Sequence, residues 1–164
     1  MKRASLVTAI VFIAGIGAGL FGRRAFDELR RQTERKADLA AIERLHRADI
    51  EATLKQDQDS FANLWSKDAV NLQYPGPAVL GVKAIREAYG KFRSQYPDFK
   101  VLKYEPEVKD QQIADGWAIE VVNAKTTLQI SAKENPVSMQ AKVLRVLERQ
   151  SDGSWKFARI ASNN

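Results

Sequence analysis

Residues 65–81 read "WSKDAVNLQYPGPAVLG", and the way this stretch is divided decides the architecture around it. Val70, Leu72 and Tyr74 alternate with Asn71 and Gln73, the pattern of a half-buried strand, and Pro75-Gly76-Pro77 ends it because proline has no N–H to give a sheet ladder. On the N-terminal side, Ile42, Leu45, Ala48 and Ala52 recur at helical spacing. That stripe is broken by "QDQDS" (56–60), where Asp59 or Ser60 would cap a short helix "FANLW" (61–65). On the C-terminal side, "VKAIREAYGKFRSQY" (82–96) is a further helix, with Ala84, Ile85, Ala88, Tyr89 and Phe92 on one face. Beyond Pro97 the period changes to two, and strands are expected over 100–109, 112–128, 137–149 and 154–161. The last pair is joined by "SDGS", whose Asp152-Gly153 is a strong hairpin signal. Helices ahead of a strand meander predict an α+β fold, a curved antiparallel sheet wrapped around helices to leave a cone with an apolar interior.

Charge is divided unevenly along the 164 residues. Residues 1–36 hold eight Lys/Arg against three Asp/Glu, a net +5, while residues 37–164 hold 18 against 17, a net +1. The globular part therefore lacks the basic footprint that a phosphate backbone requires, and no nucleic-acid partner is expected. The absence of Cys excludes disulfides, thiolate metal sites and cysteine nucleophiles. At the N-terminus, Lys2 and Arg3 precede nineteen uncharged residues, Ala4 to Gly22, and Arg23 and Arg24 close the run. Its length suits a membrane anchor of about 20 apolar residues or an exported signal peptide. The expected organisation is thus a hydrophobic anchor or signal peptide at 1–22, a charged helical stalk at 23–36 and one domain at 37–164, with membrane contact through residues 4–22 and its sidedness open.

The segments "AIERLHRADIEATLKQDQDSFANLWSKDAVNLQYPGP" (41–77), "LGVKAIREAY" (80–89) and "SDGSWKFARI" (151–160) together resemble the nuclear transport factor 2-like superfamily, in its SnoaL-like branch of small bacterial domains. The shared pattern is a first helix ending near an Asp, a short helix, Asp-Ala-Val opening a strand, a Gly and an Ala-Ile pair opening the third helix, and a Gly-x-Trp hairpin near the end. The resemblance covers about residues 37–164. It implies a cone that can host isomerases, dehydratases, cyclases, hydrolases or non-catalytic binding and assembly domains, and it implies a homodimer paired through the sheet. In steroid isomerase members a general-base Asp lies a few residues past the Asp-Ala pair, a position that falls here on Gln73. Their helix Tyr falls on Asp49. An amide cannot take a proton near neutral pH, so neither role carries over.

Among individual residues, Asp49 is the best candidate for a functional acid, because it projects from the first helix one turn before Thr53 and an acid among apolar groups has its pKa raised. Arg145 or Arg159 would pair with it. Asp68 is read as a structural acid at a helix-to-strand junction, bracing backbone N–H groups. His46, the only His, is expected at the surface, and no ligand spacing for a metal is present. Trp65, Tyr74, Trp117, Ile119, Met139, Arg145 and Arg159 complete the expected lining of a ligand site with Asp49 and Thr53. Trp117, Ile119 and Val121 are assigned to the interior, and Ala118, Glu120, Val122 and Ala124 to the outer face. The function expected from these residues is a membrane-associated cone that binds a small apolar molecule or a protein partner, non-catalytic or with catalysis unproven, and with no cofactor or metal. The alternatives are a cyclase- or isomerase-like proton-transfer enzyme and a homo-oligomeric assembly module.

Overall fold

The structure, a computed structural model, describes residues 4–73 and 76–163, the side chains of residues 4–22 excepted. Tyr74 and the side chains of the expected membrane segment lie outside the described residues. The chain divides into two compact units, residues 1–40 and 41–164, and each is described by itself.

Helix α1 spans Ala4–Lys55. Within the first unit its residues 23–36 are exposed on every face and carry ion pairs at helical spacing, Arg30 to Glu34 at 2.8 Å and Arg31 to Glu28 at 3.2 Å. Such pairs stabilise a solvated helix by about 0.2–0.5 kcal/mol each.

In the second unit α1 ends at Lys55, and α2 follows at Gln58–Asn63. Its cap is Asp57, whose carboxylate accepts from the Asp59 N–H at 3.1 Å, so the short helix starts earlier than Asp59 or Ser60 would have placed it. Strand β1 runs Trp65–Gln73, β2 is the short Val79–Leu80, and α3 is Val82–Gln95. Then come β3 (Lys100–Ala114), β4 (Trp117–Gln129), β5 (Val137–Arg149) and β6 (Trp155–Asn163). The six strands make one sheet in the order β2-β1-β6-β5-β4-β3, antiparallel except where β1 meets β6.

The expected break near residue 110 is absent, and the β3–β4 turn sits at Asp115-Gly116. Both residues have positive φ, 51° and 79°, as a two-residue type I′ turn demands to match the twist of its strands. The 110 region instead holds a register shift between Val108 and Asp110, which bends the long β3 without ending it.

The concave face of this sheet holds the core. Ile42, Leu45 and Ala52 from α1, Ile85 from α3, and Trp65, Ala118, Leu147, Trp155 and Phe157 from the strands form one buried cluster. Alternation along β4 runs opposite to the expected sense: Ala118, Glu120, Val122 and Ala124 are buried, while Trp117, Ile119 and Val121 are 45, 50 and 43% exposed. Both sets contain apolar residues, so hydrophobic pattern does not choose between them. The buried set faces α1, where Glu120 meets His46 and Ala118 joins the cluster of Ile42 and Leu45.

Two turns with left-handed glycines make the hairpin geometry testable. Gly116 has φ +79°, and an added Cβ would meet only Arg149 Cβ at an ordinary 3.8 Å. Gly116→Ala should therefore cost the strain of a left-handed conformation, about 1–2 kcal/mol, without a clash. Urea unfolding measures it; a loss below about 0.3 kcal/mol would contradict the type I′ turn at Asp115-Gly116.

Candidate functional site

Strand register carries one row of residues straight across the concave face. Gln111 on β3 pairs with Glu120 on β4, Glu120 with Arg145 on β5, Arg145 with Ile160 on β6, and Ile160 with Asn71 on β1. Four of these five residues are polar, in a face otherwise filled by Ala118, Val122, Leu147 and Phe157. Helix α1 lays Asp49 and His46, one turn apart, over this row.

Two hydrogen-bonded groups result. Arg145 Nη2 donates to Asp49 Oδ2 at 3.1 Å and to Tyr104 Oη at 2.6 Å, and Tyr104 Oη donates to the same carboxylate oxygen at 3.1 Å. The Asp49 and Arg145 side chains are 7 and 3% exposed, so the pair is shielded from water. The guanidinium lies over the Phe157 ring, 5.1 Å from its centre, a cation–π placement. In the second group Glu120, fully buried, receives Gln111 Nε2 at 2.7 Å and meets His46 Nε2 at 2.9 Å. A buried acid is tolerated only with partners of this kind.

Burial pushes the Asp49 carboxyl above its ordinary value, against the opposing pull of Arg145, Tyr104 and His46. Tyr104 is raised too, by burial first and then by the neighbouring Asp49, so it remains a protonated donor. For Arg145, burial works against the charge, but Tyr104, Asp49 and Glu120 outweigh it and hold the guanidinium above its ordinary value.

The expected lining is brought together only in part. Asp49, Arg145 and Trp65 lie in the buried interior, and Thr53 is half-buried one turn beyond Asp49. Trp117 and Ile119 stand on the outer face, so these two are corrected out of the interior, while Met139 shares the face of Arg145 and is 39% exposed near the start of β5. Arg159 is exposed and donates to the Asp68 carbonyl at 3.0 Å instead of reaching Asp49. Asp68 itself is exposed within β1, at the register shift between Trp65 and Val70, rather than at a helix-to-strand junction. His46, expected at the surface, is only 20% exposed because Glu120 holds it. Gln111, Glu120 and Asn71 belong to the row, and Tyr104 joins it through its hydrogen bonds to Asp49 and Arg145; none of the four is among the lining expected from the sequence. The available signal was Glu120 alone among Ala118, Val122 and Ala124, an acid that packing could bury only with partners. Among the described residues no group of three His, Asp or Glu is placed to hold a metal ion.

The outer face is built differently. Val121, Leu144, Ala161 and Leu72 form one cross-sheet row, and Ile119, Val146, Arg159 and Val70 the next. Leu144 and Leu72 are 48 and 46% exposed, so with Trp117, Ile119 and Val121 they make a contiguous apolar area. Beyond it lies a depression of about 690 Å³ lined by side chains of both signs, Glu105, Glu107, Lys125 and Lys142.

No family model and no curated protein sequence matches the chain. Solved structures do. A ketosteroid isomerase-like protein from Erwinia carotovora atroseptica superposes with a TM-score of 0.65 at 23% identity, over 76% of this chain and 94% of that one. A domain with a cystatin-like fold from Nostoc punctiforme gives 0.62 at 21%, over 77% of this chain and 76% of its own. A protein from Catenulispora acidiphila in complex with S-DNPA gives 0.61 at 15%, over 76% and 90%. The chain therefore shares the α+β cone fold of these ketosteroid isomerase-like and cystatin-like structures.

The raised Asp49 carboxyl has a signed consequence. Because the native state holds this proton more tightly than the unfolded chain, the linked stability is full below about pH 4 and declines as pH rises through the native value. Thermal melts of the wild type and Asp49→Asn across pH should show the wild type losing stability relative to the variant from about pH 4 upward. A relative gain over that range would mean that Arg145 and Tyr104 outweigh burial and the carboxyl is lowered.

Proposed function

We propose that residues 41–164 act as a binding cone, taking a small, largely apolar molecule against the concave face, and that they do so without proton-transfer chemistry. The observation that carries this reading is the closed triad of Asp49, Tyr104 and Arg145. A catalytic base must present a free lone pair to its substrate. Here the acid is 7% exposed and its Oδ2 receives both a phenol and a guanidinium, which hold the carboxylate against the protein and away from solvent. The Gln73 position offers no substitute base. A triad of this kind orients and rigidifies a cavity wall, the role that a few placed polar groups have in apolar ligand sites.

The exposed apolar rows of the outer face favour a second property, association with another copy of the chain. Edge pairing is discouraged, because edge strand β3 carries Lys100, Lys103, Lys109, Pro106 and a register shift, and the other edge strand has only two residues. The outer face is apolar at its centre and has acids and bases together at its margin, Glu105 and Glu107 beside Lys125 and Lys142. A two-fold partner would cover the centre and set each copy's acids against the other's bases. Membrane attachment through residues 4–22 is part of the same proposal and rests on the uncharged run between basic flanks. No described helix is long and apolar enough to cross a membrane.

One outer-face double variant, Ile119→Glu with Leu144→Glu, separates the two properties. Sedimentation of the full chain should show a dimer in the wild type and a lighter species in the variant; a wild-type monomer at high concentration would refute the pairing. Titration with the fluorescent apolar probe N-phenyl-1-naphthylamine should saturate in both proteins with the same affinity. Loss of the probe in the variant would move the ligand site to the outer face, and no saturable binding in either would end the cone-binding reading.

A further inference from the structure

Four buried polar atoms on the concave face have no hydrogen-bond partner in the protein: Trp65 Nε1, Arg145 Nε and Nη1, and Asn71 Oδ1. Leaving such an atom unpaired is costly, and buried polar groups in folded proteins are nearly always satisfied. Two of the three residues pack on one ring, and the third lies in the same cross-sheet row as Arg145. The Trp65 ring centre is 5.8 Å from that of Phe157, and the Arg145 guanidinium carbon is 5.1 Å from the same ring. Asn71 and Arg145 flank Ile160 within the single row of paired residues that crosses the sheet. Donors therefore come from Trp65 and Arg145 beside Phe157, and an acceptor comes from Asn71 beside Ile160, the residue that Arg145 also neighbours.

We infer that Trp65, Asn71 and Arg145 form a head-group site for an uncharged ligand group that both accepts and donates hydrogen bonds, an alcohol or a primary amide on an otherwise apolar molecule. This rests on the proposed cone-binding reading and deepens it. The choice of head group follows from the atoms. An oxygen is required to accept from the indole and the guanidinium, and a hydrogen is required for Asn71 Oδ1. A ketone or ether supplies the first and leaves Asn71 unpaired. A carboxylate also leaves Asn71 unpaired, and its charge meets an Arg145 already neutralised by Asp49 and standing next to Glu120 in the row. A cation would face the guanidinium directly. Asp49 and Tyr104 occupy Nη2 and so orient the guanidinium, leaving its remaining donors for the ligand.

The test uses four probes with one apolar body, 2-naphthol, 2-naphthamide, 2-naphthoate and 2-methylnaphthalene, titrated calorimetrically into the full chain. The alcohol and the amide should bind about ten-fold or more tightly than the methyl compound, and more tightly than the carboxylate. Trp65→Phe keeps an aromatic ring and removes the indole N–H together with the pyrrole half, and Asn71→Ala removes the amide that carries the acceptor oxygen. Each should cut the alcohol's advantage about five-fold or more while leaving 2-methylnaphthalene unchanged, in proteins whose melting shows them folded. Equal binding of all four probes would overturn the head-group site and leave the cone-binding reading standing. Tightest binding by 2-naphthoate would overturn the choice of an uncharged group. Binding by none of them would assign the four atoms to ordered water and overturn both readings.

Discussion

The ion pair between Asp49 and Arg145 is the contact to which the rest of the domain is fitted. Removing a carboxylate and a guanidinium from water costs several kcal/mol for each, and attraction between them offsets this only when the geometry is close and further hydrogen bonds are made. Tyr104 makes those bonds here, donating to Asp49 and accepting from Arg145. The arrangement fixes the rotation of α1, because only one helix face can present Asp49 to β5. With that face chosen, His46 reaches Glu120, and Ile42, Leu45 and Ala52 enter the buried cluster. It also penalises slippage of the sheet: shifting β5 by one residue would turn Arg145 outward and leave Asp49 buried alone.

The same constraint sorts the two faces of the sheet. Once Glu120 and Arg145 are committed to the interior, alternation sends Trp117, Ile119, Val121 and Leu144 outward. On β4 the interior then takes Ala118, Val122 and Ala124 with the paired Glu120, and the outer face takes the exposed apolar Trp117, Ile119 and Val121. A monomeric domain rarely leaves such an area uncovered. Ligand recognition on one face and self-association on the other are compatible because the sheet separates them.

Element order was readable from hydrophobic period and punctuation, and the strand over 137–149 has the bounds its alternation implied. Two features resisted. The chain from Lys100 to Leu128 alternates almost without interruption, so the turn could be placed only by chemistry, and Asp115-Gly116 supplies the left-handed pair that the register shift at Val108 does not. Strand parity in β4 was misread because Ala118, Val122 and Ala124 are as apolar as Ile119 and Val121, while Glu120 argued for an outward face. Partners on other elements decided it: Glu120 is held by His46, 74 residues away on α1, and by Gln111, nine residues away on β3. Asp49 and Arg145 were visible as an acid and a base that a cone could bury. Their supporting residues were not, since nothing local in the sequence marks a polar row that exists only through cross-strand pairing.

The claim on which this account rests is that Asp49 and Arg145 interact directly inside the domain. A double-mutant cycle with Asp49→Asn and Arg145→Met, measured by urea unfolding at neutral pH, isolates that interaction from the separate cost of each substitution. The account predicts a coupling of about 2 kcal/mol or more, with the double variant more stable than the sum of single losses would allow, because removing both charges leaves no lone buried ion. Additivity within about 0.5 kcal/mol would contradict it.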